Sequence, residues 1–126
     1  MKDKPRVLVF DDSALVAKMA ARHVEASGCE AKFVVALDEF KRVVAEFTPD
    51  AILSDLNIPG VPEKELCAFL RREAPIGTAK IWLLSGMDAN ELEERVRALG
   101  ADGCVSKELN GEAFRARIHG LVSQLA

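Results

Sequence analysis

The stretch over residues 51–60 constrains the fold of this chain most strongly. An apolar run of strand length ends on the carboxylate of Asp55, and Pro59 and Gly60 follow closely. Because proline and glycine interrupt regular structure, Asp55 is expected at the carboxyl end of a buried strand. In open α/β sheets, ligands bind at this end of the strands.

Other apolar runs also end on polar side chains. Residues 7–10 lead to Asp11 and Asp12, residues 81–84 lead to Ser85, and residues 104–106 lead to Lys107. Parallel strands with crossover helices bring their carboxyl ends to one edge of a sheet. We therefore expect carboxylates, a hydroxyl group and an amine to meet at that edge.

Strand and helix patterns alternate along the whole chain. The predicted strands cover residues 6–10, 30–35, 51–55, 80–84 and 104–106. The predicted helices cover residues 13–27, 38–47, 62–75 and 89–99, and a last helix is expected to be capped by Asn110. Such an alternation predicts one α/β domain over residues 1–126, with a parallel sheet between two layers of helices.

Periodicity also predicts which side chains face the core and which helix is held least firmly. The expected core residues of the first helix are Leu15, Met19 and Val24 with Val16 and Ala20. In the second strand, Ala31, Phe33 and Val35 form the apolar side of an alternating pattern, which indicates a less buried strand towards the edge of the sheet. Asp38 is expected to cap the second helix. The fourth helix has only a narrow apolar seam, formed by Leu92, Val96 and Leu99. We therefore expect the fourth helix to be the most mobile one.

Charge and cysteine content exclude several classes of function. The formal net charge is -3 and the basic residues are dispersed among acids, so we expect no direct contact with nucleic acid. Cys29, Cys67 and Cys104 lack the spacing of metal ligands and are expected to be reduced core thiols of a cytoplasmic protein. We expect neither a signal peptide nor a membrane-spanning segment.

Carboxylates that converge at one edge of a sheet repel each other. At an assumed separation of about 6 Å and an effective dielectric constant of about 20, each pair costs roughly 3 kcal/mol. Mg²⁺ would remove this repulsion, since it binds a few carboxylates while it retains some of its water. Asp11, Asp12 and Asp55 are therefore candidate metal ligands, although Asp11 or Asp12 could instead cap the first helix.

The other polar strand ends add groups that phosphoryl transfer requires. Lys107 would supply an ammonium group and Ser85 a hydroxyl group, and with a divalent cation they can hold the oxygens of a phosphoryl group. Asp55 would be the nucleophile, as carboxylates are in aspartyl-phosphate chemistry. The structural alternatives are a solvated lysine at a strand end and a serine that caps a helix.

Together these residues resemble the receiver domains of two-component response regulators. The resemblance spans essentially the whole chain and is carried by VLVFDDS at 7–13, PDAILSDLNIPG at 49–60, LLSG at 83–86 and LGADGCVSK at 99–107. It implies a flavodoxin-like (βα)5 fold, doubly wound, with strand order 2-1-3-4-5. It also implies Mg²⁺ held by Asp12, Asp55 and the backbone carbonyl of Asn57, with Asp11 acting through water.

The resemblance further implies a signalling cycle. A histidine kinase or a phosphotransfer protein would phosphorylate Asp55, and Ser85 would follow the phosphoryl group. The fourth strand, fourth helix and fifth strand would then rearrange and bind a downstream protein partner. Such a receiver catalyses its own phosphorylation and dephosphorylation but serves as a switch rather than as an enzyme. We expect a receiver that stands alone or has been excised from a longer protein.

The sequence departs from the family pattern at three positions. Cys104 replaces the usual aromatic residue and is too small to change places with a moving hydroxyl group. Glu108 replaces a proline that commonly follows the lysine in a cis peptide bond. Gly86 replaces the usual alanine and loosens the loop before the fourth helix. A trans bond before Glu108 could shift Lys107. The changes remain compatible with phosphorylation of Asp55, but the switch at the output face must work differently from the usual exchange with an aromatic ring.

Two other classes of function use the same residues. A degenerate receiver would bind partners without being phosphorylated, and the changes at Cys104 and Glu108 motivate this alternative. A phosphatase of the haloacid dehalogenase type would also use an aspartate at a strand end. That family needs an Asp-x-Asp pattern on the first strand, which Asp11-Asp12-Ser13 does not provide.

Overall fold

Strands and helices alternate in the structure as the sequence predicts. The computed structural model describes residues 4–73, 79–107 and 111–125. The strands are β1 (Arg6–Phe10), β2 (Glu30–Val34), β3 (Ala51–Asp55), β4 (Lys80–Ser85) and β5 (Gly103–Ser106). The helices are α1 (Ala14–Ala26), α2 (Leu37–Phe47), α3 (Leu66–Glu73), α4 (Ala89–Leu99) and α5 (Gly111–Val122), with 3₁₀ turns at Glu63–Glu65 and Ser123–Leu125.

The strands form one parallel sheet in the order β2-β1-β3-β4-β5. This order confirms the predicted doubly wound α/β fold. From β1 the chain first adds β2 on one side and then crosses to β3 on the other side. The strand order therefore reverses between β1 and β3, and ligands of open α/β sheets bind at such a point.

Both faces of the sheet are covered by helices. β3 is buried at every position and β1 at all but its first, which explains their nearly continuous apolar runs. On one face, Phe10 stacks on Phe40 of α2 with ring centroids 4.7 Å apart, and α3 and α4 complete this layer. On the other face, α1 and α5 pack around the fully buried Trp82.

The predicted core face of α1 is wrong in part, because Val24 and Ala20 are buried as expected but two larger residues are not. Leu15 and Met19 are 69% and 52% exposed, respectively. The side that packs on the sheet consists mainly of small residues, namely Ala17, Ala20, Ala21 and Val24. Apolar residues lie on more than one side of this helix, and the alanine side lets the backbone approach the sheet closely.

The predicted core side of β2 is also wrong in part. Val34 is buried beside Phe10, its partner in the sheet, whereas Phe33 is 39% exposed. β2 is the edge strand, as its mixed pattern suggested, and it has a neighbouring strand on one side only. Phe33 therefore lies at a border that the helices do not cover completely.

The predicted helix caps agree with the structure only in part. Ser13 caps α1 by accepting a hydrogen bond from the Val16 N–H at 3.3 Å. The predicted cap at Asp38 is wrong, because α2 begins at Leu37 without a side-chain cap. Asp38 lies in the first turn, where a carboxylate still favours the helix dipole. The predicted helix end at Pro75 and the cap at Asn110 lie outside the described residues.

The apolar seam of α4 is as narrow as predicted. Leu92 is fully buried, whereas Val96 and Leu99 are only partly buried against the core. The greater mobility of α4 stays a prediction. Among the described residues, no helix combines the length and the apolar character that a membrane span requires.

Candidate functional site

The sheet register brings the ends of β1 and β3 together. Phe10 pairs with Ser54, so Asp11 and Asp55 follow as neighbours at the carboxyl edge. One carboxylate oxygen from each of Asp11, Asp12 and Asp55 lies within 4.8 Å of the other two. Asp11 is fully buried and Asp55 is 7% exposed, whereas Asp12 is exposed to solvent. The structure therefore brings the three predicted carboxylates into one cluster.

Asp11 holds the turn before α1 with one of its oxygens. Its Oδ1 accepts a hydrogen bond from the Ser13 N–H at 2.9 Å. The alternative that an aspartate stabilises the start of α1 is thus partly correct, although Ser13 is the cap residue. The second oxygen of Asp11 faces the cluster.

Lys107 reaches the cluster from the end of β5. Its Nζ lies 2.8 Å from Asp11 Oδ2 and 3.4 Å from Asp55 Oδ1. The sequence led us to expect this ammonium group beside Asp55, and the structure places it closer to Asp11. The side chain of Lys107 is 27% exposed, so the amine spans the border between the buried carboxylates and solvent.

The pKa of Asp55 is raised above its ordinary value. Burial is the main cause, and the negative charge of Asp11 adds to it. The ammonium group of Lys107 and the backbone N–H of Asn57, which donates to the carboxylate, act in the opposite direction without cancelling the shift. The surroundings of Asp55 therefore disfavour its negative charge.

The pKa of Lys107 is also raised. Burial alone would lower it, but hydrogen bonds and attraction to Asp11 and Asp55 outweigh burial. The two shifts have different causes, because burial raises the pKa of the Asp55 carboxyl group whereas the carboxylates of Asp11 and Asp55 raise the pKa of the Lys107 amine. The cluster as a whole retains an excess of negative charge.

Ser85 and Asn57 lie at the same edge. Ser85 follows Leu84, the residue opposite Asp55 in the register, and it is buried. Its Oγ accepts a hydrogen bond from the Met87 N–H at 3.2 Å. Ser85 is not the cap of α4, because Asp88 fills that role. The side chain of Asn57 is exposed and lines a cleft with Asp12.

This set of donors fits a hard divalent cation. All the candidate side-chain ligands are carboxylate oxygens, and the ammonium group of Lys107 pairs with two of the three carboxylates, those of Asp11 and Asp55. Mg²⁺ prefers such a site, with few protein ligands and open positions for water or substrate oxygens.

Comparison with known proteins identifies the family. Residues 7–119 match the response regulator receiver domain. The chain belongs to this family.

Curated relatives match this chain over most of its length. The phosphate regulon transcriptional regulatory protein PhoB of Rhizobium meliloti is 30% identical over 120 residues, which are 94% of this chain and 52% of that protein. Protein PilG of Pseudomonas aeruginosa is 24% identical over 118 residues, which are 92% of this chain and 86% of PilG. The receiver described here thus spans about half the length of PhoB.

Solved receiver structures have the same fold. The CheY-like receiver domain of Methylobacillus flagellatus has a TM-score of 0.79 at 21% identity and covers 98% of this chain and 100% of that chain. The chemotaxis response regulator CheY4 of Vibrio cholerae superposes with a TM-score of 0.76 at 21% identity. The match covers 98% of this chain and 99% of the CheY4 chain. At this level of identity the comparison establishes the receiver fold alone.

Of the positions that depart from the family pattern, one is buried in the core and one is exposed in a loop. Cys104 is buried in the core layer that contains α4, and burial raises the pKa of its thiol. Its backbone carbonyl accepts a hydrogen bond from Arg117 Nε at 2.8 Å. Gly86 is exposed, and an added Cβ would meet no atom within 4 Å. Glu108 lies outside the described residues.

Sequence reasoning missed several contacts around the receiver site. Ser106 donates from its Oγ to the Met87 carbonyl at 2.7 Å. Arg95 of α4 pairs with Glu63, which begins the 3₁₀ turn after β3. These contacts depend on loop paths rather than on periodicity. The position of Ser106 directly before Lys107 was the only hint in the sequence.

Proposed function

We propose that the protein is a phosphorylation-controlled receiver in which Asp55 accepts a phosphoryl group. The donor would be a histidine kinase or a phosphotransfer protein. The observation that carries this proposal is the buried carboxylate of Asp55 with Lys107 Nζ 3.4 Å away, beside two further carboxylates. A buried nucleophile beside a fixed ammonium group is suited to phosphoryl transfer.

In the proposed reaction, a carboxylate oxygen of Asp55 forms a bond to phosphorus. The P–N bond to the donor imidazole breaks, and its electron pair remains on the nitrogen. Lys107 would bind a phosphoryl oxygen and offset its negative charge, and the Ser85 hydroxyl would donate to another oxygen. Mg²⁺, held by Asp12, Asp55 and the Asn57 carbonyl with Asp11 acting through water, would neutralise the remaining charge.

The phosphorylated aspartate would later be hydrolysed at the same site. Water attacks phosphorus, the bond between phosphorus and Asp55 breaks, and the carboxylate is restored as inorganic phosphate leaves. The receiver would thus assist both its phosphorylation and its dephosphorylation, and the lifetime of the phosphoryl group would set the duration of the signal. Residues 1–126 would act as one such unit in the cytoplasm.

The test is the intact mass of the protein after incubation with Mg²⁺ and acetyl phosphate. We expect one added phosphoryl group in the wild type and none in Asp55→Asn. Asp38→Asn, which changes an exposed acid on α2, serves as the matched control and should be labelled like the wild type. Equal labelling of the wild type and Asp55→Asn would contradict the assigned acceptor.

The exposed side chains of α1 support a role in contact with the donor. The donor must reach Asp55 from the carboxyl edge, and α1 begins next to Asp12 at that edge. Leu15 and Met19 project into solvent there, with the basic Lys18 between them. We therefore propose that this side of α1 contacts the phosphodonor protein.

A double variant tests the donor contact separately from the chemistry. Leu15→Ala/Met19→Ala should slow transfer from a phosphotransfer protein while labelling by acetyl phosphate stays at the wild-type rate. Phe33→Ala, at the exposed border of β2, is the control for loss of a surface apolar group. An equal loss with both donors would show damage to the site rather than to a docking surface.

A second candidate function is a receiver that binds partners without phosphorylation. The close pair of Lys107 and Asp11 favours it, because this pair removes part of the repulsion without a metal ion. Such a protein would remain inert towards acetyl phosphate. Its partner binding would be the same in the wild type and in Asp55→Asn.

A further inference from the structure

The loop between β4 and α4 is held at Met87 from two sides. The Met87 N–H donates to Ser85 Oγ at 3.2 Å. The Met87 carbonyl accepts a hydrogen bond from Ser106 Oγ at 2.7 Å. Both serines are buried, so these bonds are shielded from competing water.

The sheet register places the two serines side by side. Ser85 pairs with Ser106 across β4 and β5. Side chains at paired positions of neighbouring strands point to the same side of a sheet. The two hydroxyl groups can therefore hold the donor and the acceptor of the same loop residue.

The start of α4 depends on this loop residue. Asp88 directly follows Met87 and caps α4 by accepting a hydrogen bond from the Glu91 N–H at 2.9 Å. The Asp88 carbonyl also accepts a hydrogen bond from the Leu92 N–H at 3.0 Å. Leu92 is the one residue of α4 that is fully buried, so the bond to Asp88 fixes the backbone of the residue that anchors this helix in the core.

We infer that Ser106 is a positioning residue that couples the Ser85 hydroxyl to the start of α4. This inference rests on the proposed function, in which the Ser85 hydroxyl donates to the phosphoryl group, and it adds that Ser85 turns and leaves the Met87 N–H as it does so. The bond from Ser106 to Met87 then remains as the restraint on the loop. Its strength sets how readily the loop and the first turn of α4 leave their positions.

This coupling offers a path that Cys104 cannot provide. A thiol has too little volume to change places with the Ser85 hydroxyl, and Cys104 is packed in the core. Ser106 lies two residues further along β5 and contacts the loop itself. The connection runs through hydrogen bonds to one backbone residue instead of through a rotating ring.

Hydrogen exchange of the metal-free, unphosphorylated protein tests the restraint directly. Loss of one hydrogen bond of this type shifts a local opening equilibrium by roughly three- to tenfold. In Ser106→Ala, the amides of Glu91 and Leu92 should therefore exchange faster by that factor. Ser106→Thr, which keeps the hydroxyl group, should exchange like the wild type.

Two comparisons separate the restraint from a general loss of stability. Ser123→Ala removes a hydroxyl group that donates to the Gly120 carbonyl at the same distance, 2.7 Å, and should leave the amides of Glu91 and Leu92 unchanged. The amides of β3 report global unfolding and should exchange alike in all variants. Unchanged exchange at Glu91 and Leu92 in Ser106→Ala, or equal acceleration in β3, would overturn the inference.

The rate of phosphorylation by acetyl phosphate with Mg²⁺ tests the coupling. If the loop must release Ser85 for reaction, Ser106→Ala should be labelled roughly three- to tenfold faster than the wild type, in line with its exchange. Faster exchange with an unchanged labelling rate would overturn the coupling. A wild type that takes up no phosphoryl group would overturn the proposed function, and the exchange comparison would still decide whether Ser106 restrains α4.

Discussion

Lys107 Nζ lies 2.8 Å from Asp11 Oδ2, closer than to the proposed phosphoryl acceptor. This pair connects the end of β5 to the end of β1 across the ends of β3 and β4. Lys107 therefore has a structural role in addition to its proposed role in phosphoryl transfer. Among the residues that the structure describes, Lys107 is the cation that forms ion pairs with both buried carboxylates.

Removal of the Lys107 amine should destabilise the metal-free protein. Lys107→Met leaves Asp11 and Asp55 without this partner, and we expect the free energy of unfolding to fall by about 2 kcal/mol. Urea unfolding followed by Trp82 fluorescence measures the change. Lys18→Met, at an exposed position on α1, is the control. An equal loss in both variants would contradict the importance of the Asp11 pair.

Mg²⁺ at millimolar concentration should raise the melting temperature of the wild type. Binding to the folded state alone stabilises it by about 2.7 kcal/mol when the ion is at 100 times its dissociation constant. Asp12→Ala should stabilise the metal-free protein by reducing repulsion and should abolish the response to Mg²⁺. Asp38→Ala should retain the response. A wild type without any response would rule out the assigned metal site.

The effect of Asp55→Asn on stability should depend on pH. The folded-state pKa of Asp55 is raised by burial and by Asp11, so the folded protein binds the proton more tightly than the unfolded chain does. The stability that this proton contributes is present below the ordinary pKa and is lost as pH rises through the folded-state value. Asp55→Asn should therefore be more stable than the wild type at neutral pH, without Mg²⁺.

Urea unfolding midpoints measured from neutral to acidic pH test this difference. The advantage of Asp55→Asn should shrink as the wild-type carboxylate becomes protonated. Asp50→Asn, an exposed acid before β3, provides a comparison. A variant that is less stable than the wild type at neutral pH would show that Lys107 more than offsets burial.

The three cysteines should react slowly with thiol reagents in the folded protein. Burial raises the pKa of Cys29, Cys67 and Cys104, so little thiolate is present near pH 8. Alkylation followed by mass spectrometry should show similar slow rates at all three sites and fast reaction after unfolding. Selective rapid labelling of Cys104 would instead indicate a reactive thiol near the site.

Much of the fold and of the site could be predicted from the sequence. β1, β3 and β4 are buried on both faces, so their apolar runs are nearly continuous and end sharply on polar residues. The rule that parallel strands end at one edge then places Asp11, Asp55 and Lys107 together. These parts of the structure follow from backbone topology alone.

Other parts depend on details that periodicity does not contain. Leu15 and Met19 are exposed because the alanines of α1 face the sheet, and both sides of this helix look apolar in the sequence. The shorter distance from Lys107 to Asp11 than to Asp55 depends on the conformation of a long side chain at the carboxyl edge of the sheet. The contact of Ser106 with Met87 depends on the path of a loop.

The central claim is that Asp55 accepts the phosphoryl group. Brief phosphorylation with acetyl phosphate and Mg²⁺, followed by borohydride reduction, converts a phosphorylated aspartate into homoserine, which peptide mass spectrometry can locate. We predict homoserine at position 55 in the wild type and at no position in Asp55→Asn. Homoserine at position 11 or 12, or the absence of homoserine from a wild type whose intact mass shows the phosphoryl group, would contradict this account.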